Sequence, residues 1–554
     1  MSRAGIALAS ALLVGCAATQ GAGVAPPTTA SVAPTSAATP TATPTQSVGE
    51  KAKADTAREM RTARAEVSRL STRALAAQVV VPDLGTVSAG EAGVRGGYGG
   101  VVVMRSSLPQ GAGAAKAAKA ANDRYRAAMR RSGRAWPAFI AVDQEGGPVT
   151  RVDDTLTAFP AAMALGATRS ADLAAQVGRA SGAELAGLGF TVVMSPVADV
   201  TSPQDPTIGV RSPGGEPGLV TSVAGGYVDG YREAGLVSVI KHFPGHGAVA
   251  ADTHHGAARL TATRQQLNRR DLVPFQRLSD AGAPAVMTAH VTVEAVDKTR
   301  PASLSKPVTT TMLRRELGFS GLVVTDALNM GAVTQGTAPG EATVRAIEAG
   351  ADVALMPADP AAAVRALERA VTSGRISRAR LEESAARMVA TLRVAERGRT
   401  VAPTAPGAHQ KVARAAADAS ITQIGGRCGE RLVGSAVTVT GGTDADRAQF
   451  TRAAKAAGLR IGGQGATRVA LLGGRGYQAG GGQASGTRTA SGDVLVALDV
   501  PYGLAEGSAK ARLAVYGRTP ATFDALAAVL TGRQAAKGAL PVTVGEWKAG
   551  TRCG

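Results

Sequence analysis

The chain has 554 residues, a formal net charge of +19 and an aromatic content of only 3%. A basic chain of this length raises the question of nucleic acid, but the sequence has no nucleic-acid-binding motif with interleaved aromatic residues, so we expect no nucleic-acid partner. The charge instead favours contact with anionic wall polymers or lipid headgroups, with a merely soluble basic surface as the alternative.

The N-terminal segment has the features of a secretory signal. Residues 1–15 contain Arg3 and then an apolar run that is too short to span a bilayer. The stretch LVGC ends at Cys16 and resembles a bacterial lipobox, in which the cysteine is acylated; an ordinary signal peptide is the alternative. Residues 16–50 are mostly Ala, Thr, Pro and Ser, which predicts a disordered tether. We therefore expect an extracytoplasmic protein, anchored to the bacterial cell membrane by a lipid on Cys16.

Residues 51–398 alternate apolar, β-branched runs with helical segments. The runs are too continuously apolar to be half-exposed strands, and they predict strands that are buried on both faces. Eight such repeats favour a (β/α)8 TIM-like barrel over an open, doubly wound sheet, which would leave edge strands. The runs are QVVVPDL (78–84), GGVVVMR (99–105), PAFIAVDQE (137–145), FTVVMSPVADV (190–200), LVSVIKHF (236–243), PAVMTAHV (284–291), GLVVTDALN (321–329) and ADVALMP (351–357).

Polar residues stand where these predicted strands end. The ends of parallel barrel strands face one rim, which is where barrel enzymes carry their active sites. This pattern therefore predicts a site made from several strand ends. The residues concerned are Asp143, Gln144, Glu145, Asp199, Lys241, His242, His290 and Asp326.

The C-terminal part predicts a second, smaller α/β domain. Residues 399–409 resemble a linker, and residues 410–554 contain strand-like runs such as RVALLGG with a predicted helix at 521–530. Cys428 and Cys553 lie near the two ends of this domain, and an exported protein meets an oxidising environment. We expect these two cysteines to form a disulfide.

Residues 241–256, KHFPGHGAVAADTHHG, contain four of the six histidines of the chain. His242 and His246 have the spacing of two zinc ligands on a helix. Pro244 and Gly245 lie between them, so this segment is predicted to be a loop and the helical spacing loses its meaning. We expect no metal and no cofactor. The chain also lacks a serine nucleophile elbow, which leaves acid/base chemistry at a rim of carboxylates and cations.

Four motifs in register over about 340 residues carry a resemblance. AVDQEGGPVTR (141–151), VIKHFPGHG with DTHHG (239–256), VMTAHV (286–291) and GLVVTDALNMGAV (321–333) are similar to the bacterial β-N-acetylglucosaminidases (β-N-acetylhexosaminidases) of glycoside hydrolase family 3. The resemblance is to the lipoprotein form, and the C-terminal part is similar to the α/β sandwich domain that many of these enzymes carry, so the resemblance covers nearly the whole mature chain. One departure is Pro148, where the family usually has an arginine.

The resemblance implies a retaining mechanism. Asp326 would be the nucleophile, His254 the acid/base, and Asp252 the residue that orients His254. A carboxylate at a strand end has the chemistry to attack an anomeric carbon, although a helix N-cap is an alternative role for Asp326. A histidine that has given up its proton is neutral, so phosphate would meet no like charge there. Phosphorolysis is therefore an alternative to hydrolysis.

The resemblance also implies substrate-binding residues, namely Asp143, Arg151, Arg211, Lys241 and His242. The alternatives are carboxylate-paired or solvated arginines and a packed loop histidine. We expect His246 and His255 to serve only local packing or hydrogen bonding. We assign no function to Asp199 and His290, and each could serve as structural support instead of binding substrate.

These expectations combine into an exo-acting β-N-acetylglucosaminidase that trims terminal GlcNAc from muropeptides or chitin-type oligosaccharides. A β-N-acetylglucosaminide phosphorylase would use the same residues with phosphate as acceptor. A non-catalytic, sugar-binding surface lipoprotein is the third interpretation. It is disfavoured because a binder would not need Asp326, Asp252 and His254 together.

Overall fold

The structure is a computed structural model, and its main compact unit runs over Gln46–Gly554. It describes residues 48–85, 96–109, 113–152, 155–205, 207–249, 251, 253, 256–335, 337–473 and 491–553. The predicted signal, Cys16 and nearly all of the predicted tether lie outside the described residues. The same holds for Asp252, His254 and His255.

Eight parallel strands follow the eight predicted runs. They are β1 Val80–Val81, β2 Gly100–Val103, β3 Phe139–Val142, β4 Val192–Val193, β5 Val237–Phe243, β6 Ala285–Thr288, β7 Leu322–Thr325 and β8 Ala354–Leu355. Strands β2 to β7 form one sheet in sequence order, and β8 pairs with β1. Single bridges join β7 to the residue before β8 (Val324 with Val353) and the second residue after β1 to β2 (Asp83 with Val102). The strands therefore close into the predicted (β/α)8 barrel, and the open doubly wound sheet is wrong.

The strands form where the sequence is continuously apolar because both of their faces are covered. Every residue of β2, β3, β6 and β7 is buried, and all seven residues of β5 are buried. Two short pairings extend the rim beyond the strand ends. Gln144–Gly146 pairs with Val149–Thr150, and Ala258–Leu260 pairs with Val291–Val293.

Helices cover the outside of the barrel. Serine side chains cap two of them: Ser170 accepts from the Leu173 N–H, and Ser377 accepts from the Arg380 N–H. No helix in the described parts of the chain is both long and apolar enough to cross a bilayer. The barrel helices are Val48–Val67, Thr72–Gln78, Ala114–Arg131, Ala162–Thr168, Ala171–Gly187, Pro217–Glu233, Arg264–Arg269, Leu272–Asp280, Pro307–Glu316, Gly331–Thr334, Glu341–Ala349, Pro360–Thr372 and Arg378–Arg397.

A second sheet of six strands follows the barrel. Its strands are β9 Thr422–Gly425, β10 Ala436–Gly441, β11 Arg460–Ile461, β12 Thr467–Leu472, β13 Val494–Ala497 and β14 Ala511–Ala514. Their order is β9-β14-β13-β12-β10-β11, and only β9 runs antiparallel to its neighbour. Helices Gln410–Ser420, Asp444–Ala456 and Pro520–Leu530 pack with this sheet. The second layer is therefore α/β, as expected.

The second layer also contains the expected disulfide. Cys428 and Cys553 are bonded, with their Cα atoms 5.5 Å apart and 125 positions apart in sequence. The segment predicted as a linker is hydrogen-bonded to the barrel helix Ala171–Gly187, because the Thr404 N–H donates to the Ala183 carbonyl and the Gly407 N–H donates to the Glu184 carboxylate. The two predicted domains therefore lie within one compact unit.

Candidate active site

A cavity of about 210 Å³ opens at the carboxyl ends of the barrel strands. Its wall includes every predicted nucleophile or substrate-binding residue that the structure describes. Its lining residues are Met104, Asp143, Val149, Arg151, Thr207, Ile208, Arg211, Lys241, His242, His246, Thr253, Met287, Asp326, Ala327, Asn329, Met330, Leu355 and Met356. Residues as distant in the sequence as Asp143 and Asp326 thus meet at one rim.

Lys241 lies within β5 and is held by two carboxylates. Its Nζ atom is 2.6 Å from Asp143 Oδ1 and 2.7 Å from Glu145 Oε1, and its side chain is 2% exposed. Burial would lower the pKa of Lys241, but the two carboxylates raise it above its ordinary value. Lys241 is therefore a fixed cation in the cavity wall.

Glu145 connects the two buried cations of the site. Arg211 donates two hydrogen bonds to it, from Nε to Oε2 (2.9 Å) and from Nη2 to Oε1 (2.8 Å). Burial would raise the pKa of Glu145, but Arg211 and Lys241 hold it well below its ordinary value. Arg211 is thus carboxylate-paired and also lines the cavity. The sequence analysis placed Glu145 on the rim but gave it no role. The only feature of the sequence that could have indicated this role is its position two residues after Asp143.

Asp199 is fully buried and organises the loop after β5. Its Oδ1 accepts hydrogen bonds from the backbone N–H groups of His242 (3.1 Å) and His246 (2.7 Å). Its Oδ2 accepts a hydrogen bond from His242 Nδ1 at 2.7 Å. Burial would raise the pKa of Asp199, but the neighbouring His242 lowers it. Asp199, whose role the sequence left open, orients the His242 ring so that Nε2 is the nitrogen left for a ligand.

His246 lies in the cavity wall, so its environment is more than the local loop packing expected from the sequence. Its side chain is buried, and Nε2 is 3.4 Å from Thr253 Oγ1. Burial lowers the pKa of His246 to about 4, and the nearby His242 lowers it further, against the effect of Asp199 and Asp326. His246 is therefore neutral at neutral pH.

Asp326 directly follows β7 and is partly exposed to the cavity. Its N–H donates to the Thr288 carbonyl at 2.9 Å, and its Oδ1 accepts from the Ala327 N–H at 2.8 Å. The short helix Gly331–Thr334 has Met330 at its N-cap position, so the alternative of Asp326 as a helix N-cap is wrong.

His290 supports the segment that carries the predicted nucleophile. Its Nε2 donates to the Ala327 carbonyl oxygen at 2.9 Å, and its Nδ1 is 2.7 Å from Ser303 Oγ. Because Ala327 is the neighbour of Asp326, His290 fixes the backbone beside the carboxylate. His290 therefore provides structural support, which was one of the roles considered for it from the sequence.

The predicted acid/base pair, Asp252 and His254, lies outside the described residues, as does Cys16. Thr253, which stands between Asp252 and His254, is described, is 2% exposed and lines the cavity. Among the residues that the structure describes, no group of three His, Cys, Asp or Glu side chains is placed to hold a metal ion.

Comparisons with known proteins agree with this geometry. Residues 96–391 match the family described as "Glycosyl hydrolase family 3 N terminal domain". A β-hexosaminidase A from Pseudoalteromonas piscicida is 40% identical over 238 residues, which cover 40% of this chain and 40% of that protein. The β-hexosaminidase LpqI from Mycobacterium tuberculosis is 36% identical over 267 residues, which cover 46% of this chain and 68% of that protein.

A solved structure has the same architecture. The glycoside hydrolase family 3 β-N-acetylglucosaminidase from Paenibacillus sp. str. FPU-7 superimposes with a TM-score of 0.75 at 29% identity. The match covers 86% of this chain and 99% of that chain. The family match spans more than half of the sequence and contains the whole rim of polar residues. The chain therefore belongs to glycosyl hydrolase family 3.

Proposed function

We propose that the protein is a retaining exo-β-N-acetylglucosaminidase, which removes terminal β-GlcNAc from muropeptides or chitin-type oligosaccharides through a covalent glycosyl-Asp326 intermediate. One observation carries the proposal: a single cavity at the barrel rim brings Asp326 together with Asp143, Arg151, Lys241 and His242. The names of the similar β-hexosaminidases and of the Paenibacillus β-N-acetylglucosaminidase support the same substrate class.

The nucleophile in this proposal is Asp326. Its backbone N–H is bonded to Thr288 and its carboxylate accepts from the Ala327 N–H, which holds Asp326 at the end of β7, where it would attack the anomeric carbon of a sugar seated in the cavity. The same carboxylate would stabilise the positive charge that develops on the sugar ring. Water would then release the sugar with retention of configuration.

The acid/base in this proposal is His254. A general acid needs a pKa near the working pH, whereas Arg211 and Lys241 lower the pKa of the buried Glu145, and the neighbouring His242 lowers the pKa of the buried Asp199. His246 is equally unsuited, since its pKa of about 4 leaves it without a proton to donate at neutral pH. These pKa shifts make Glu145, Asp199 and His246 unsuited to the role, which supports the predicted pair Asp252 and His254.

The sugar hydroxyls would be held by the polar wall. Asp143 offers a carboxylate that Lys241 already orients, and His242 offers Nε2 in a ring that Asp199 orients. A cavity of about 210 Å³ is smaller than typical ligand pockets of about 300–1,000 Å³. This volume favours one terminal sugar and supports exo action.

The test is turnover of an aryl β-GlcNAc glycoside by the full chain, with and without phosphate, beside an Asp326→Ala control. We expect free GlcNAc, and a loss on the order of 10³-fold or more in the control. GlcNAc-1-phosphate as the product would favour the phosphorylase. Binding of the sugar without any Asp326-dependent product would overturn both enzymes and leave the sugar-binding lipoprotein.

We also propose that the protein works outside the cytoplasm, anchored through a lipid on Cys16. The lipobox-like LVGC and the uncharged segment after it support this location. The net charge of +19 supports additional contact with anionic wall polymers. Substitution Cys16→Ser should move the protein from the membrane fraction to the soluble fraction, and an unchanged distribution would count against the lipid anchor.

A further inference from the structure

The mechanism above does not use Asp205, a buried carboxylate in the loop that follows β4. Asp205 is 9% exposed and does not itself line the active-site cavity. Within the described part of the chain, its hydrogen-bond donors are three backbone N–H groups and one hydroxyl, and no cation forms an ion pair with it. Burial raises the pKa of Asp205, against the effect of these donors. Burying a carboxylate among neutral groups costs free energy, so its place in this loop needs a physical reason.

Both carboxylate oxygens of Asp205 are bonded within its own loop. Oδ1 accepts from the N–H groups of Thr207 (2.9 Å) and Ile208 (2.8 Å). Oδ2 accepts from the Gly209 N–H at 3.2 Å and from Thr201 Oγ1 at 3.0 Å. One side chain thus gathers three consecutive N–H groups and ties them to a residue near the start of the loop.

The segment that Asp205 gathers is part of the cavity wall. Thr207, Ile208 and Arg211 all line the cavity. The Arg211 N–H donates to the Ile208 carbonyl at 2.9 Å, and this bond leads into the short turn Gly209–Arg211. From that turn the Arg211 guanidinium reaches the Glu145 carboxylate. The position of the guanidinium therefore depends on the backbone that Asp205 holds.

We propose that Asp205 is a positioning residue, which fixes residues 207–211 so that the Arg211 guanidinium meets Glu145 and the bound sugar together. This inference rests on the proposed function, with Arg211 as one of its substrate-binding residues. Without Asp205, three N–H groups lose their acceptor and the turn can move relative to the cavity. Misplacing a binding group by about 1 Å can cost about 10²-fold in rate, so a residue that touches no ligand can still control its binding.

The test is the steady-state kinetics of the full chain on an aryl β-GlcNAc glycoside. In Asp205→Ala we expect KM to rise about tenfold while kcat stays within about twofold, because loss of binding shared by the ground state and the transition state raises KM alone. Asp205→Asn keeps one oxygen acceptor and should raise KM by less. It also serves as the test if Asp205→Ala does not fold.

The matched control is Asp297, which has similar partners away from the cavity. Its carboxylate accepts from the Thr299 N–H (3.0 Å), the Arg300 N–H (3.2 Å) and Ser305 Oγ (2.8 Å), and it does not line the cavity. Asp297→Ala should lower the midpoint of urea unfolding but leave KM unchanged. The difference between the two alanine variants separates positioning of the site from a general loss of stability.

A double variant tests whether Asp205 acts through the guanidinium. Arg211→Met removes the guanidinium and keeps an apolar stem of similar length. Adding Asp205→Ala to Arg211→Met should raise KM no further, because both changes remove the same contact with the sugar. A purely structural effect of Asp205 would instead add to that of Arg211→Met.

Three outcomes would overturn this inference alone: an unchanged KM in Asp205→Ala and Asp205→Asn, equal changes of KM in Asp205→Ala and Asp297→Ala, or full additivity with Arg211→Met. A wild-type chain without turnover would overturn the proposed function. The same variants would then be compared by calorimetry with GlcNAc, where Asp205→Ala should weaken Kd about tenfold and an unchanged Kd would overturn the inference. A wild-type chain that does not bind GlcNAc would overturn both.

Discussion

At the scale of single residues, the carboxylates in the cavity wall and next to it differ in their hydrogen-bond and ion-pair partners. Glu145 lies between Arg211 and Lys241, and Asp199 accepts from His242 and from two backbone N–H groups. These groups are ionised supports, which hold the cations and rings that face the ligand. Asp326, the proposed nucleophile, instead has backbone partners at the end of β7. The partners of each acid thus decide its role.

The Glu145 bridge predicts a pH-dependent stability. The folded state lowers the pKa of Glu145 from its ordinary value of about 4.3, so the bridge stabilises the protein above that pH and its contribution is lost as the pH falls below it. Glu145→Gln should lower the free energy of unfolding at neutral pH by about 3 kcal/mol, because the buried Arg211 and Lys241 lose the charge of the carboxylate that lies between them. The difference from wild type should shrink in acid. Urea unfolding at pH 7 and about pH 3 measures both effects.

The matched control is Glu294→Gln, which breaks an exposed ion pair with Arg259. It should cost less than about 1 kcal/mol at either pH, since exposed ion pairs contribute little. A Glu145→Gln variant as stable as this control at neutral pH would show that the buried bridge does not stabilise the fold.

At the scale of elements, the barrel closes at a seam with little strand pairing. Strand β8 has two residues, and one bridge joins β7 to the residue that precedes β8. Asp352 reinforces this seam, because it is fully buried, accepts from the Val323 N–H at 3.0 Å and pairs with Arg314 and Arg387. The carboxylate thus ties β7, β8 and two outer helices together.

This seam predicts that Asp352→Asn is strongly destabilising. Removing the charge takes from Arg314 and Arg387 the buried carboxylate that both contact, which costs about 3–5 kcal/mol. The control is Glu383→Gln, which removes a half-exposed partner of the same Arg387 and should cost about 1 kcal/mol or less. Thermal unfolding of both variants measures the difference. Equal midpoints would mean that Asp352 adds nothing to barrel closure.

The elements were more predictable than the contacts between them. All eight barrel strands follow from apolar runs, because strands covered on both faces leave a continuous local pattern. The bridge from Glu145 to Arg211 spans 66 positions, and no local pattern reveals which cation a buried carboxylate will meet. For the same reason, the sequence left the role of Asp199 open and predicted only local packing or hydrogen bonding for His246. Their partners come from neighbouring strand ends, which only the closed barrel brings together.

At the scale of the whole molecule, the C-terminal layer and the barrel share one apolar cluster. Leu165 and Val542 belong to it, and so does Leu540. A cavity of about 370 Å³ lies where the two parts meet, lined by the hairpin after β3 and by Asp499 and Arg518. The C-terminal layer therefore covers the outer side of the hairpin whose inner side forms the wall of the active site.

The last segment of the chain holds this arrangement together. Residues 538–553 run from the second sheet to the barrel and back. The Ala539 N–H donates to the Ala167 carbonyl, and the Gly215 N–H donates to the Pro541 carbonyl, both across the boundary. The bond between Cys553 and Cys428 then fixes the end of this segment to the second layer.

Loss of this disulfide should therefore loosen the contact between the two parts. Cys428→Ser/Cys553→Ser should lower the free energy of unfolding by about 2–5 kcal/mol, because the bond closes a loop of 125 residues. Hydrogen exchange should rise first in residues 538–553, before the barrel strands are affected. A reducing agent should reproduce the effect in the wild type and leave the double variant unchanged. If exchange in residues 538–553 stayed at the wild-type rate in the double variant, the disulfide would not be what holds this segment to the barrel.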